Sequence, residues 1–181
     1  MFSDPDLNDF RKNLTLGEQS FVDADDACFG DEMEQAKESC MKAYNHYKEA
    51  ISVYCAKKPS ALLSNDAAQA YIGAAKACLL FYQCCDVDRL QGRTLMLQLA
   101  DDAIVQGVAI LRSNHQQLTK ILLVNAFECR RLICSGRASM YEKRQQASRL
   151  TSTSNMFRAC NDAESSSPVS ISNASTSNSF K

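Results

Sequence analysis

The pattern of apolar and polar positions singles out one segment, Ala67 to Cys85, with the sequence AAQAYIGAAKACLLFYQCC. Its strongly polar residues Gln69, Lys76 and Gln83 recur every seven positions, so on a helix they fall on one narrow stripe. The rest of that helix surface is apolar and has to be covered by other parts of the chain. The pattern therefore predicts a central helix that other helices surround.

Three further helices are predicted around this segment. One runs from about Asp31 to Ala56, the next from about Asp88 to Leu111, and the last starts near Gln116. Apolar residues of the first follow a heptad spacing, which suits either a coiled coil or close packing in a bundle. These residues are Met33, Ala36, Cys40, Ala43, Tyr47, Ala50 and Tyr54.

The same periodicity assigns apolar faces to the two later helices. The third helix carries Leu97, Ala100, Ile104, Gly107 and Leu111 along one face. The fourth carries Leu118, Ile121, Leu122, Phe127, Cys129, Leu132 and Ile133. Gly136 is expected to kink or end it, because glycine is a poor helix former. We therefore predict an all-α fold, an antiparallel bundle or array of about four helices with a disordered C-terminal tail.

The two ends of the chain differ from the predicted helical domain, residues 31–150. Residues 1–30 are acidic, and we expect a partly ordered segment with a short helix at Leu7, Phe10 and Leu14 that packs on the domain. The alternative is a linear motif that folds into a groove of a partner. Residues 151–181 are rich in Ser, Thr and Asn, which predicts disorder.

The charge distribution is asymmetric although the formal net charge of the 181 residues is −1. Residues 1–34 contain ten acidic and two basic residues, whereas residues 112–158 contain nine basic and two acidic ones. The N-terminal sequence has neither the basic nor the apolar region of a signal peptide, so we expect an intracellular protein, cytoplasmic or nuclear, not secreted and not transmembrane. In such a compartment the nine cysteines are expected to be reduced.

Catalytic and metal-binding motifs are not found in the sequence. It contains no CxxC pair, no phosphate-binding glycine loop and no HExxH, and its two histidines, His46 and His115, have no local partner pattern. We predict no enzyme activity, no cofactor, no metal and no small-molecule substrate. Cys84-Cys85 is a candidate redox-sensitive pair, against the simpler interpretation that these thiols act as small apolar side chains.

The basic region suggests a patch for an anionic partner. Its candidate residues are Arg130, Arg131, Arg137, Lys143, Arg144 and Arg149. Such a patch would bind nucleic acid, anionic lipid or an acidic protein segment. The simpler interpretation is a solvated face that balances the acidic N-terminal segment. Ser167, which precedes Pro168, is a candidate site for a proline-directed kinase.

Three segments resemble a known family. They are Met33 to Lys37, then Ala74 to Phe81, then Gln117-Leu118 opening a long helix that turns basic ahead of a Ser-rich stretch. In this order they resemble the C-terminal homology domain of the fragile-X-like scaffold proteins of the transcription super elongation complex. The link between the first two segments is longer here, and the aromatic-rich later helices of that family are missing. The resemblance implies a nuclear, helical homodimerisation module.

The sequence thus predicts a non-enzymatic helical protein–protein interaction or scaffold module, either self-associating or bound to another protein. The alternative is a basic-helix module that binds nucleic acid or an anionic membrane surface through residues 130–149.

Overall fold

A computed structural model describes residues 4–56, 64–85, 90–112 and 117–165, and the described residues form five helices. These are α1 (Asp4–Phe29), α2 (Met33–Ala56), α3 (Ser64–Cys84), α4 (Leu90–Arg112) and α5 (Gln117–Ser165). The chain divides into two compact units between Met140 and Tyr141. The first unit contains α1 to α4 and the first half of α5.

The acidic N-terminal segment is where the fold differs most from the prediction. It is one helix of 26 residues, not a short helix in a poorly regular segment, so the described chain has five helices and not about four. Its buried positions are Phe10, Leu14, Gly17, Ala24 and Ala27. Two of these are alanine and one is glycine, so the apolar stripe carries few large side chains and is inconspicuous in the sequence.

A tight turn joins α1 to α2. The amide of Gly30 donates to the carbonyl of Asp26 at 3.0 Å, and the amide of Glu32 donates to that of Ala27 at 2.9 Å. Asp31 has φ of 61°, a left-handed conformation that aspartate tolerates better than most residues. The turn reverses the direction of the chain, so α2 packs along α1 and each helix buries one face against the other helix.

The heptad spacing predicted for the first long helix is confirmed in α2. Six of its seven residues are buried, namely Ala36, Cys40, Ala43, Tyr47, Ala50 and Tyr54. Met33, the first residue of the helix, is 37% exposed because it lies at the end of the contact. Small residues at several of these positions allow α1 and α3 to approach α2 closely.

Helix α3 contributes to every apolar cluster of the first unit. One face packs with α4 and α5 through Ala68, Ile72, Ala75, Cys78, Leu79 and Tyr82. The other packs with α1 and α2 through Ala67, Ala70, Ala74, Ala77, Leu80 and Cys84. The two sets interleave along the sequence, which explains why the segment is apolar almost all round. The predicted central helix is confirmed.

The ring of Tyr47 fills the space between two glycines on neighbouring helices. A Cβ atom built on Gly17 of α1 would lie 2.8 Å from the ring, and one built on Gly73 of α3 would overlap it. The absence of a side chain at Gly73 thus makes room for an aromatic ring. Burial of the phenol raises the pKa of Tyr47 above its usual value.

The face predicted for α4 is confirmed, whereas that of α5 is only partly right. Leu97, Ala100, Ile104, Gly107 and Leu111 are all buried on α4. On α5 the buried residues are Leu122, Ala126, Cys129, Ile133, Gly136 and Met140. Ile121 and Phe127, predicted in the core, are 61% and 65% exposed, because the helix is rotated so that small residues meet α4.

Gly136 does not end α5. A Cβ atom built on it would lie 3.1 Å from Leu97 of α4 and 3.2 Å from the ring of Tyr82 of α3. The residue therefore permits a close approach of three helices, and α5 continues through it.

The second unit begins at Tyr141 and contains the rest of α5. The predicted tail starts at Thr151, but the helix continues to Ser165. Neither glycine nor proline occurs between Gly136 and Pro168, so nothing in this stretch stops a helix. Thr151 Oγ1 also donates to the carbonyl of Ala147 at 2.7 Å, a bond that a helical residue makes one turn back. Residues 166–181 lie outside the described residues.

Candidate protein-interaction groove

A groove follows the polar stripe of α3 between α1 and α5, within the first unit. Its floor contains Gln69, Lys76 and Gln83, the three residues that the heptad spacing placed on one side of the central helix. Gln69 and Lys76 are half-buried and Gln83 is exposed, while most of the rest of α3 is buried. The side of α3 left uncovered by the fold is thus the side the sequence marked as polar.

Helix α1 forms one wall of the groove. Glu18, Phe21, Val22 and Asp25 line it. Glu18 accepts a hydrogen bond from the side-chain amide of Gln69, which ties this wall to the floor. Phe21 is half-buried and Val22 is 51% exposed, so the wall presents an aromatic and an aliphatic side chain to solvent.

Helix α5 forms the opposite wall. Ile121, Asn125, Glu128 and Leu132 lie on successive turns of the side that faces the groove. Ser135, Gly136 and Ser139 continue the wall towards the end of the unit. Glu128 accepts two hydrogen bonds from Arg131, at 2.6 and 3.0 Å, and this interaction lowers its pKa.

Three adjoining cavities make up the groove. Their volumes are about 380, 270 and 240 Å³. The first two share Phe21, Lys76 and Asn125, and the last two share Leu79, Gln83 and Leu132, so they form one continuous depression. From Gln69 to Gln83 a helix rises by about 21 Å, which is the length of four helical turns.

A wider cleft of about 1170 Å³ lies between the end of α1 and the start of α2. Asp23, Asp26, Glu32, Glu34 and Glu38 are among its lining residues. Its two lysines form ion pairs with glutamates of the same helix. The Nζ of Lys37 lies 2.7 Å from a carboxylate oxygen of Glu34, and that of Lys42 lies 2.8 Å from a carboxylate oxygen of Glu38. The cleft is an open, acidic surface with internal ion pairs.

Three of the predicted basic residues lie on α5 in the first unit. Arg130 and Arg137 are seven residues apart and share one side of α5, while Arg131 lies about 100° around the helix from Arg130. All three are exposed. Arg131 pairs with Glu128 at 2.6 Å, and Arg137 pairs with Asp101 of α4 at 2.9 Å.

The other predicted site residues belong to the second unit or lie beyond the description. Lys143 is half-buried and Arg144 is exposed in that unit. Arg149 is part of the α5 helix, and its side chain lies outside the described residues, as does Ser167.

Thiols gather at the end of α3, where α1 and α2 pack on it. Burial raises the pKa of Cys40 to about 12, and the thiols of Cys84, Cys28, Cys78 and Cys85 raise it further. The sulfur atom of Cys84 lies 3.9 Å from that of Cys28, near the end of α1. Across the described residues, no group of three or more His, Cys, Asp or Glu side chains is placed to hold a metal ion.

Comparison with protein-family models, curated proteins and solved structures gave no match. Among the described helices, residues 91–112 of α4 are long and apolar enough to cross a membrane by length and composition alone. The core helix of a soluble protein meets the same criterion; 28% of the apolar stretch is buried, and Leu97, Ala100 and Ile104 belong to the core.

Sequence reasoning found the floor of the groove but missed its walls. The α1 wall was missed because residues 1–30 were expected to be poorly regular. Its signal is the spacing of Phe10, Leu14, Gly17, Phe21 and Ala24, which only a pattern that counts glycine and alanine as buried residues would reveal. The periodicity of α5 includes Ile121 but predicts that it lies in the core.

Proposed function

We propose that this chain is a non-enzymatic protein-interaction or scaffold module whose groove binds a basic amphipathic helix of a partner protein. The groove along α3 is the observation that carries the proposal. Amphipathic helices commonly bind by laying their apolar face into such a depression between helices. A partner helix of about 14 residues would occupy its length.

The chemistry of the lining residues indicates what the partner helix carries. Val22 and Ile121 expose apolar surface on opposite walls, where two aliphatic side chains of a partner would be removed from water. The described lining residues include the carboxylates of Glu18 and Asp25, the carboxylate of Glu128, which is already paired with Arg131, and one ammonium group, that of Lys76. This excess of negative charge favours lysine or arginine beside the apolar stripe of the partner.

The proposed arrangement of the helices is an antiparallel array. Contacts between successive helices pair rising residue numbers on one helix with falling numbers on the next, which supports this arrangement. Between α1 and α2 the pairs are Phe10 with Tyr54 and Gly17 with Tyr47. Between α3 and α4 they are Ile72 with Gly107 and Tyr82 with Arg93. Between α4 and α5 they are Thr94 with Met140 and Leu97 with Gly136.

A pair of labelled peptides tests the groove. Two 14-residue helices with the same leucine stripe, one flanked by lysine and the other by glutamate, are titrated with the protein and followed by fluorescence anisotropy. We expect the lysine peptide to bind and Ile121→Gln to weaken it at least tenfold, because the substitution removes an apolar contact without adding charge. Val105→Gln, at an exposed aliphatic residue of α4, is the matched control.

Two results would contradict the proposal. One is equal affinity for the two peptides, and the other is binding that Ile121→Gln and Val105→Gln reduce alike. Light scattering on the same samples tests the homodimer that the family resemblance implies. A dimer that Ile121→Gln leaves intact would show that self-association uses another surface.

The basic-helix alternative receives less support. Arg131 and Arg137 are each engaged by a carboxylate of the same unit, so binding a phosphate would require breaking an ion pair. That alternative predicts an affinity for nucleic acid or anionic vesicles that falls steeply as the salt concentration rises.

A further inference from the structure

Two cysteines far apart in the sequence are placed next to each other in the fold. Cys28 lies one residue before the end of α1 and Cys84 is the last residue of α3. Their Sγ atoms are 3.9 Å apart, and the thiol of Cys84 donates to the sulfur of Cys28. A disulfide needs the two sulfur atoms about 2 Å apart, so side-chain rotation of less than 2 Å at each thiol would bring them within bonding distance.

The surroundings of the pair distinguish it from the other thiols. Cys28 is half-buried, and it packs against a cluster that contains Cys84, Cys40 and Leu80. Cys85, the sequence neighbour of Cys84, lies one residue beyond the end of α3 and is half-buried. Cys40 is buried and its pKa is raised to about 12, so few of its thiols ionise near neutral pH.

We propose that Cys28 and Cys84 form an oxidative modification site, a dithiol that a hydroperoxide converts to an intramolecular disulfide between α1 and α3. The site takes hydrogen peroxide or a small organic hydroperoxide as its oxidant. It is independent of the groove and of any partner.

The reaction balances in two steps. The Cys28 thiolate attacks one oxygen of hydrogen peroxide, the O–O bond breaks, and the departing hydroxide takes up the proton released by the thiol to give water and a sulfenic acid on Cys28. Cys84 then attacks the sulfur of Cys28, its own proton leaves with the displaced hydroxide, and a second water forms. Two thiols are oxidised and one peroxide is reduced to two waters.

Access decides which thiol reacts first. Cys28 is the partly exposed member of the pair, whereas Cys84 is 5% exposed. Burial, together with the interaction with Cys28, raises the pKa of Cys84 to about 11, and the nearby ammonium of Lys37 acts in the opposite direction. Cys84 therefore suits the second, resolving step, which takes place inside the protein.

Peptide mapping tests the disulfide directly. The full chain, with Cys55, Cys134 and Cys160 replaced by serine to suppress links between molecules, is treated with hydrogen peroxide, blocked with a maleimide and digested with trypsin without reduction. Tryptic peptide 13–37 contains Cys28 alone, and peptide 77–89 contains Cys78, Cys84 and Cys85. We expect these two peptides to be joined, with the loss of two hydrogens, and to separate on addition of dithiothreitol.

Single substitutions then assign the partner of Cys28. Cys84→Ala should reduce the joined peptide at least tenfold, while Cys85→Ala and Cys78→Ala should retain it. Circular dichroism of each reduced variant shows that it folds. Should Cys84→Ala fail to fold, the readout is the joined peptide in Cys85→Ala, fragmented by mass spectrometry to locate the bond.

A second measurement uses stability. The disulfide closes a loop of 57 residues, so the melting temperature of the oxidised protein should exceed that of the reduced protein by roughly 10 °C. The proposal is overturned by a joined peptide that persists in Cys84→Ala and disappears in Cys85→Ala. Oxidation of Cys28 to a sulfinic acid without any joined peptide would overturn it equally.

Discussion

At the scale of single residues, the contacts of Tyr47 show how close packing depends on absent side chains. Its ring lies between Gly17 of α1 and Gly73 of α3, so three helices meet at one aromatic side chain. Glycine costs a helix about 1 kcal/mol relative to alanine. Here that cost is offset because the Tyr47 ring is buried, and a Cβ atom on Gly17 or Gly73 would displace the ring.

Gly73→Ala should therefore destabilise the protein although alanine is the better helix former. The new methyl group would overlap the ring of Tyr47, and overpacking of this kind costs about 1–3 kcal/mol. The free energy of unfolding, measured by urea denaturation, is expected to fall by that amount. In a Tyr47→Ala background the same substitution should be neutral or stabilising.

Gly92→Ala on α4 is the matched control for this prediction. A Cβ atom built on Gly92 meets nothing within 4 Å, so the substitution should stabilise the protein by up to about 1 kcal/mol. Equal effects at positions 73 and 92 would contradict the packing described for Tyr47.

At the scale of elements, the five helices differ in how well their sequences indicate their buried faces. The buried face of α2 matches its heptad residues from Ala36 to Tyr54, because few apolar residues lie on its other sides. Helix α5 has apolar residues on several sides, so its periodicity allows more than one orientation. Contact with α4 selects the face that carries Ala126 and Gly136, since small residues let the helices approach.

Two isoleucines of α5 test this orientation. Ile133→Ala should lower the free energy of unfolding by about 2–5 kcal/mol, because the side chain is fully buried. Ile121→Ala should change it by no more than about 0.5 kcal/mol, because that side chain is 61% exposed. The two variants remove the same atoms from the same helix, so their difference in urea denaturation reports burial alone. A larger effect at Ile121 would mean that α5 is rotated differently.

At the scale of the first unit, α3 connects what would otherwise be two separate sets of helices. Helices α1 and α2 pack on one of its faces, and α4 and α5 pack on the other. Neither α1–α2 nor α4–α5 has a complete core without α3. If one of these pairs loses its packing on α3, apolar surface of α3 becomes exposed to water, and the helix that completes the core of the other pair is destabilised.

We therefore expect the first unit to unfold in one cooperative transition. Phe10→Ala, in the α1–α2–α3 cluster, and Ile104→Ala, in the α3–α4–α5 cluster, should each lower one common melting temperature by roughly 5–15 °C. Differential scanning calorimetry measures this directly. A variant that splits the peak into two transitions would show that the two sets of helices are stable independently.

The sequence alone determined the all-helical class, the bounds of α2, α3 and α4 to within a few residues, and the central position of α3. These features follow from local periodicity, which each segment carries by itself. Tertiary structure decided the helix in the acidic segment, the rotation of α5, the walls of the groove and the proximity of the Cys28 and Cys84 thiols. Each of these depends on contacts between residues far apart in the chain. Where small residues make such contacts possible, the periodic signal in each segment is weak, because glycine and alanine do not stand out as apolar positions.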